Sequence, residues 1–156
     1  MKPNLPPAHL DAWRAFLASY WRVTARIEAD LAVRDLPTLA WYDVLYGLYR
    51  APARRLRMSE LADHVLLSRS GLTRLVDKLE HDGLLTRKSC PSDGRAIHAQ
   101  LTDKGVNALR KMWPTYRDGI ATHFSSRLKA SELATLTGLL SRLSAEAVAS
   151  TAAKTG

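Results

Sequence analysis

At 156 residues and 17.3 kDa, with 46% hydrophobic and 24% charged residues, the chain suits one domain with helical extensions and can bury a core without disulfides or metal, which excludes wholesale disorder and a fibrous architecture. Lys plus Arg number 23 against 15 Asp plus Glu, and the net charge of +8 favours a polyanionic partner, nucleic acid first. A single cysteine, Cys90, excludes an internal disulfide and a multi-cysteine metal site. No apolar run approaches the roughly 20 residues of a membrane span. The start MKPNLPPAHLDAW lacks the basic-then-apolar order of a signal peptide, so the expected location is the cytoplasm.

Residues 8–34 place Leu10, Trp13, Leu17, Tyr20, Thr24, Ile27 and Leu31 at steps of three and four, one stripe of a long helix. Asp35-Leu36-Pro37-Thr38 breaks it, and Thr38 is expected to cap a second helix whose apolar positions are Trp41, Tyr42, Leu45 and Leu48. A short third helix over about 58–66 turns Leu61, Ala62 and Val65 inward. Ser68-Arg69-Ser70-Gly71 opens a fourth, in which Leu72, Leu75, Val76 and Leu79 repeat at helical spacing and Gly83 supplies a left-handed exit. Leu84 to Lys88 and Ala96 to Leu101 flank the turn residues Cys90-Pro91-Ser92-Asp93-Gly94 and predict a β-hairpin. Thr102 caps a fifth helix, in which Pro114 must cost a backbone hydrogen bond and predicts a kink. Leu133, Leu136, Leu140 and Leu143 give a sixth. The predicted fold is mainly α with a small β-wing: a winged helix-turn-helix flanked by long helices, whose wide apolar stripes call for a partner subunit.

The charge excess is spread, at +1 over residues 1–50, +3 over 54–104 and +4 over 105–156, and does not by itself locate a binding face. The aromatics are uneven: residues 51–104 have none. A basic segment without stacking platforms argues for duplex DNA over single strands.

Two stretches carry a family likeness. Asp93-Gly94-Arg95-Ala96-Ile97-His98-Ala99-Gln100-Leu101-Thr102 matches a D-x-R-x(5)-L-T wing pattern, and Ser59-Glu60-Leu61-Ala62 leads into Ser68 to Leu85. With these the chain resembles the MarR family of bacterial winged helix-turn-helix transcription regulators over about residues 10–145. The resemblance implies a homodimer joined through the first, fifth and sixth helices, with two wings straddling double-stranded DNA. The division that follows is an N-terminal dimerisation helix over 1–36, a DNA-binding lobe over 37–101, C-terminal dimerisation helices over 102–149 and a flexible tail over 150–156.

On the fourth helix the apolar face belongs to the core, which leaves Arg69, Ser70, Thr73, Arg74 and Lys78 to face outward. Arg reads guanine edges in a major groove, Ser and Thr bind edges or phosphates, and a helix N-terminus favours phosphate. Ser68 suits an N-cap better than a base reader, and Lys78 either pairs with a neighbouring turn or contacts phosphate. In the wing, Arg95 resembles the family's minor-groove arginine, with Asp93 holding its guanidinium. Arg54, Arg55 and Arg57 form either a solubilising loop or a backbone clamp.

The five histidines lack a metal-ligand pattern and no catalytic motif is present, so the expectation is a non-enzyme without cofactor or metal. Cys90 reads as a small strand-end residue. The family resemblance implies small aromatic or phenolic effectors between the dimerisation helices and the DNA-binding lobe. Trp13, Tyr20, Trp41, Tyr42 and Trp113 are the candidate walls, with Arg14, Arg22 or a backbone group for an anionic tip. The expected function is a sequence-specific repressor released by such a ligand. The alternatives are a constitutive DNA-binding dimer and a winged helix used for protein assembly.

Overall fold

The structure is a computed structural model that describes residues 5–65, 68–90 and 93–152, with the side chains at 69, 90, 93–96 and 144–152 outside the described set. Helices α1 (Pro7–Val33) and α2 (Leu39–Arg50) lead through a 3-10 turn at Pro52–Arg54 into β1 (Arg55–Arg57), α3 (Met58–His64) and α4 (Arg69–His81). Strands β2 (Leu85–Cys90) and β3 (Asp93–Leu101) form the wing, and α5 (Asp103–His123) and α6 (Ala130–Ala152) follow. The expected hairpin turn falls partly outside the described residues, at 91–92. Helix α5 runs as one element through Pro114, and α6 extends to Ala152, into the segment expected as tail.

The sheet has three strands in the order β1-β3-β2, all antiparallel. Strand β1 replaces the expected loop at Arg55 and Arg57, with Arg54 in the 3-10 turn before it. Three residues have no alternation of their own to announce a strand; β1 exists because Leu56 and its neighbours pair with Gln100, Ala99 and His98 of β3.

The core sits where α2, α3 and α4 meet the sheet and α5. Leu45, Leu48, Leu61, Val76, Leu79, Leu85, Ala99 and Met112 are fully buried, and each such leucine contributes about 1.5–3 kcal/mol. On α1 only Ile27 and Leu31 of the predicted stripe are buried; Trp13 and Trp21 expose 56% and 68% of their surface. The stripe therefore splits into a docked C-terminal half and an open N-terminal half. Helix α1 meets α5 through Arg34, which donates to Thr115 Oγ1 at 3.0 Å, and through Asp30 and His123, whose side chains lie 2.7 Å apart.

Thr38 occupies the N-cap position of α2, but its side chain makes no cap bond. Glu28 on α1 does this instead, accepting from the Leu39 N–H at 2.9 Å. The caps expected at Thr102 and Ser68 are formed, each hydroxyl accepting the N–H of the glycine three residues on, at 3.1 Å.

Among the described glycines the closest approach is at Gly105. A Cβ there would lie 2.2 Å from the Leu84 carbonyl oxygen and 2.6 Å from Leu101 Cδ1. In an open helix Gly→Ala gains up to about 1 kcal/mol. Here the overlap with backbone reverses the sign, and Gly105→Ala should cost about 1–3 kcal/mol. Urea unfolding at fixed protein concentration checks this; an unchanged or raised midpoint would show that the joint can relax.

Candidate nucleic-acid interface

Helix α4 owes its position to two sets of bonds at its ends. At the start, Ser68 Oγ takes the Gly71 N–H and lies 3.3 Å from Ser70 Oγ. At the exit, Gly83 adopts φ 71° and the Gly83 and Leu84 N–H groups return to the carbonyls of Glu80 and Leu79 at 2.9 and 2.8 Å, which satisfies the last turn. Between them Leu72, Leu75, Val76 and Leu79 are buried, and Ser70, Thr73, Arg74 and Lys78 are exposed on the other face. Arg74 and Lys78 make no ion pair among the described residues. The side chains of Arg69, Asp93 and Arg95 lie outside the described set.

The charge on this face is set by a residue the sequence reading did not single out. Arg87 on β2 reaches Asp77 at 2.7 Å and Glu80 at 2.6 Å, and its backbone N–H donates to Glu80 at 2.7 Å. Both carboxylates of α4 are thereby paired with one guanidinium, which offsets part of their charge, and Arg74 and Lys78 are exposed cations of the same helix among the described side chains. The Arg87 backbone bond, then its guanidinium, hold the Glu80 carboxyl below its ordinary value, and Glu80 in turn raises the guanidinium of Arg87.

Strand β1 brings further cations beside the wing. The register aligns Arg57, His98 and Lys88 across the three strands, with Arg55, Gln100 and Thr86 two residues along on the same face. Arg54 is occupied elsewhere: its guanidinium lies 5.9 Å from the Tyr49 ring and 3.2 Å from Asp103.

A groove of about 700 Å³ separates α2 from α5. Of the five rings expected to wall an effector site, it brings together Tyr42 and Trp113. Trp41 packs against the core, and Trp13 and Tyr20 stand exposed on α1. The remaining lining includes Asp43, Tyr46 and Tyr49 from α2 and Val106, Arg110 and Tyr116 from α5. Arg14 pairs with Asp11 at 3.5 Å, and neither Arg14 nor Arg22 reaches the groove. Burial raises the Tyr42 hydroxyl to about 12 and pushes Tyr116 up as well, so both remain protonated donors across the physiological range.

Residues 35–96, from the end of α1 into β3, match the family model described as MarR family. The crystal structure of Sco3205, a MarR family transcriptional regulator from Streptomyces coelicolor in complex with DNA, is 31% identical, covers 94% of this chain and 91% of its own, and superposes with a TM-score of 0.82. The chain belongs to the MarR family. A second family member from S. coelicolor, AbsC, is 29% identical, with 95% of this chain and 99% of that chain covered at a TM-score of 0.82. The uncharacterized HTH-type transcriptional regulator YkoM from Bacillus subtilis (strain 168) is 37% identical over 84 residues, 54% of this chain and 53% of YkoM. This MarR-family chain thus spans about half the length of the curated relatives it matches. Among the described residues no helix is long and apolar enough to cross a membrane.

The Arg87 clamp makes a pH prediction. Glu80 has a folded value below its ordinary 4.5, so its contribution to stability is present above pH 4.5 and is lost as pH falls through the lower folded value. Unfolding free energy should therefore drop more steeply below pH 4.5 in the parent than in Glu80→Gln, measured by urea titration across that range. Parallel slopes would mean that the clamp has no thermodynamic weight.

Proposed function

We propose that the chain is a homodimeric, duplex-DNA-binding transcription regulator that acts as a repressor, with α4 in the major groove and the wing arginine Arg95 in the minor groove. The observation that carries this reading is the division of α4 into a buried apolar face and an exposed face of Ser70, Thr73, Arg74 and Lys78, with both of its carboxylates bound back by Arg87. A helix so arranged offers donors and positive charge to base edges and phosphates, with the repulsion from its two carboxylates reduced by Arg87. The likeness to Sco3205, a structure in complex with DNA, over nearly the whole chain supports it.

The dimer follows from surface that water should not see. The open half of α1 carries Trp13, Phe16, Tyr20 and Trp21, and α6 exposes Leu139 and Leu143, the latter by 64%. Such a patch on two helices suits a second copy of the same chain. Two copies place two α4 helices at successive major grooves, about 34 Å apart. The α2–α5 groove receives a small aromatic ligand, and binding there releases DNA by favouring a spacing of the two α4 helices that no longer fits. To move the dimer from mostly bound to mostly free, that preference must reach several kcal/mol.

Arg74→Ala should relax base preference at one position of each half-site and cost about 1–3 kcal/mol, whereas Lys78→Ala should weaken all duplexes alike and flatten the salt dependence by about one unit of slope. Competition binding against a panel of single-base variants at two or more salt concentrations distinguishes them. If Arg74→Ala leaves both affinity and preference intact, α4 is not the reader. A screen of aromatic compounds for release of bound DNA tests the effector; release by none of them would favour a constitutive DNA-binding dimer.

A further inference from the structure

The two faces of the three-stranded sheet differ in what they meet. Leu56, Ala99 and Arg87 lie opposite one another across β1, β3 and β2; Ala99 is buried, Leu56 packs against the core, and Arg87 meets Asp77 and Glu80 of α4. Neighbouring residues along each strand point the other way. That outer face carries Arg57, His98 and Lys88 in one row and Arg55, Gln100 and Thr86 in the next. Arg55, Arg57 and Lys88 are exposed, and none of them makes an ion pair among the described residues. The three strands contain one carboxylate residue, Asp93, at the hairpin end. Of the carboxylates flanking β1, Asp103 is held by Arg54 at 3.2 Å, and Glu60 accepts the Arg57 backbone N–H at 2.8 Å. Glu60 offsets part of one charge and leaves the face cationic. The row of Arg57, His98 and Lys88 lies two residues from the Cys90–Asp93 pair that ends the hairpin, about 7 Å along the strand, and Arg57 and Lys88 are two strand spacings apart, about 10 Å.

We propose that this outer face holds duplex DNA by its phosphates, along the backbone strand on the side of the wing away from α4. The inference rests on the placement of α4 in the major groove and of the wing in the adjoining minor groove, and it adds a surface that neither of those contacts uses. A minor groove is about 6 Å wide and has a sugar-phosphate strand along each edge. A hairpin that enters it therefore has phosphates on both sides. The edge nearer α4 borders the major groove that α4 occupies, and the opposite edge is met only by the face turned away from α4. Arg57 and Lys88 lie within a side chain's length of the hairpin end and far enough apart to hold separate phosphates. Arg55, a row farther back, reaches the same strand only where the DNA curves toward the sheet. Arg and Lys meet phosphate without regard to base, so this face adds affinity and salt dependence and leaves sequence preference to α4.

The test uses the full chain and a duplex that it selects from a random pool, extended beyond the selected motif at both ends. Two double variants are compared with the parent: Arg57→Gln with Lys88→Gln, which removes both charges, and Arg57→Lys with Lys88→Arg, which keeps them. Loss of two phosphate contacts lowers the salt slope by nearly two units, so between 50 and 200 mM salt the parent should lose about tenfold more affinity than the uncharged variant. Ethylation of single phosphates should block binding of the parent on the strand outside the wing, and that block should vanish in the uncharged variant while base preference at the half-sites is retained. The retained preference is the control for folding. The charge-keeping variant should behave as the parent. An unchanged salt slope and ethylation pattern in the uncharged variant would overturn the inference and leave α4 and the wing tip as the readers. Equal loss in both variants would also overturn it, since the role would then be structural. Failure of the parent to select any duplex would overturn the DNA-binding reading itself, and this inference with it.

Discussion

The exit of α4 is fastened to the start of the long helix behind it through backbone carbonyls, which accept from a hydroxyl, an N–H and an ammonium. Where α4 ends and α5 begins, the Gly83 carbonyl accepts the Thr102 hydroxyl at 2.7 Å, the Leu84 carbonyl accepts the Thr102 N–H at 3.1 Å, and Lys104 Nζ donates to the Asp82 carbonyl at 2.7 Å. Gly105 is what lets the two segments close to this distance, since any side chain there would occupy the space of the Leu84 carbonyl. Side-chain packing tolerates small slides, because rotamers adjust. A joint whose acceptors are backbone carbonyls tolerates less, because each displaced group would be left unpaired.

That stiffness gives the proposed regulation a physical route. Helix α5 bears the joint at its N-terminal end and one wall of the aromatic groove along its middle, and it is tied to α1 through Arg34–Thr115 and Asp30–His123 at its far end. A displacement of α5 by a ligand in the groove would carry α4 with it. The Arg87 clamp acts at the other side of α4, holding Asp77 and Glu80 to the wing, so α4 and the wing would move as one unit. In the proposed dimer, two such units would be aligned or misaligned with DNA by the helices between them.

The sequence was legible where a pattern is local. The six helices, the hairpin, the glycine exit of α4 and the caps at Ser68 and Thr102 each depend on residues within a turn or two of one another. What escaped depends on partners far along the chain. Strand β1 needs β3, more than 40 residues on; the cap of α2 comes from Glu28 on the preceding helix; and Arg87 meets carboxylates seven and ten residues back across a turn. The groove is an intermediate case. Aromatic abundance pointed to α1, α2 and α5, of which α2 and α5 line the groove, and mixed core, surface and groove, because composition carries no information on facing. A usable signal was present: Tyr42, Tyr46 and Tyr49 follow i, i+4, i+7, as do Val106, Arg110 and Trp113, and two such stripes on neighbouring helices can line a common cleft.

The central claim is that two copies of α4, spaced by the long helices, read duplex DNA. Selection of bound duplexes from a random pool by the full chain, followed by sequencing, tests it most directly. The account predicts enrichment of a two-fold symmetric motif whose half-sites are centred about one helical turn apart, roughly 10 base pairs. Enrichment of a single unpaired half-site would contradict the dimeric reading, and recovery of no motif above background would contradict sequence-specific recognition by α4.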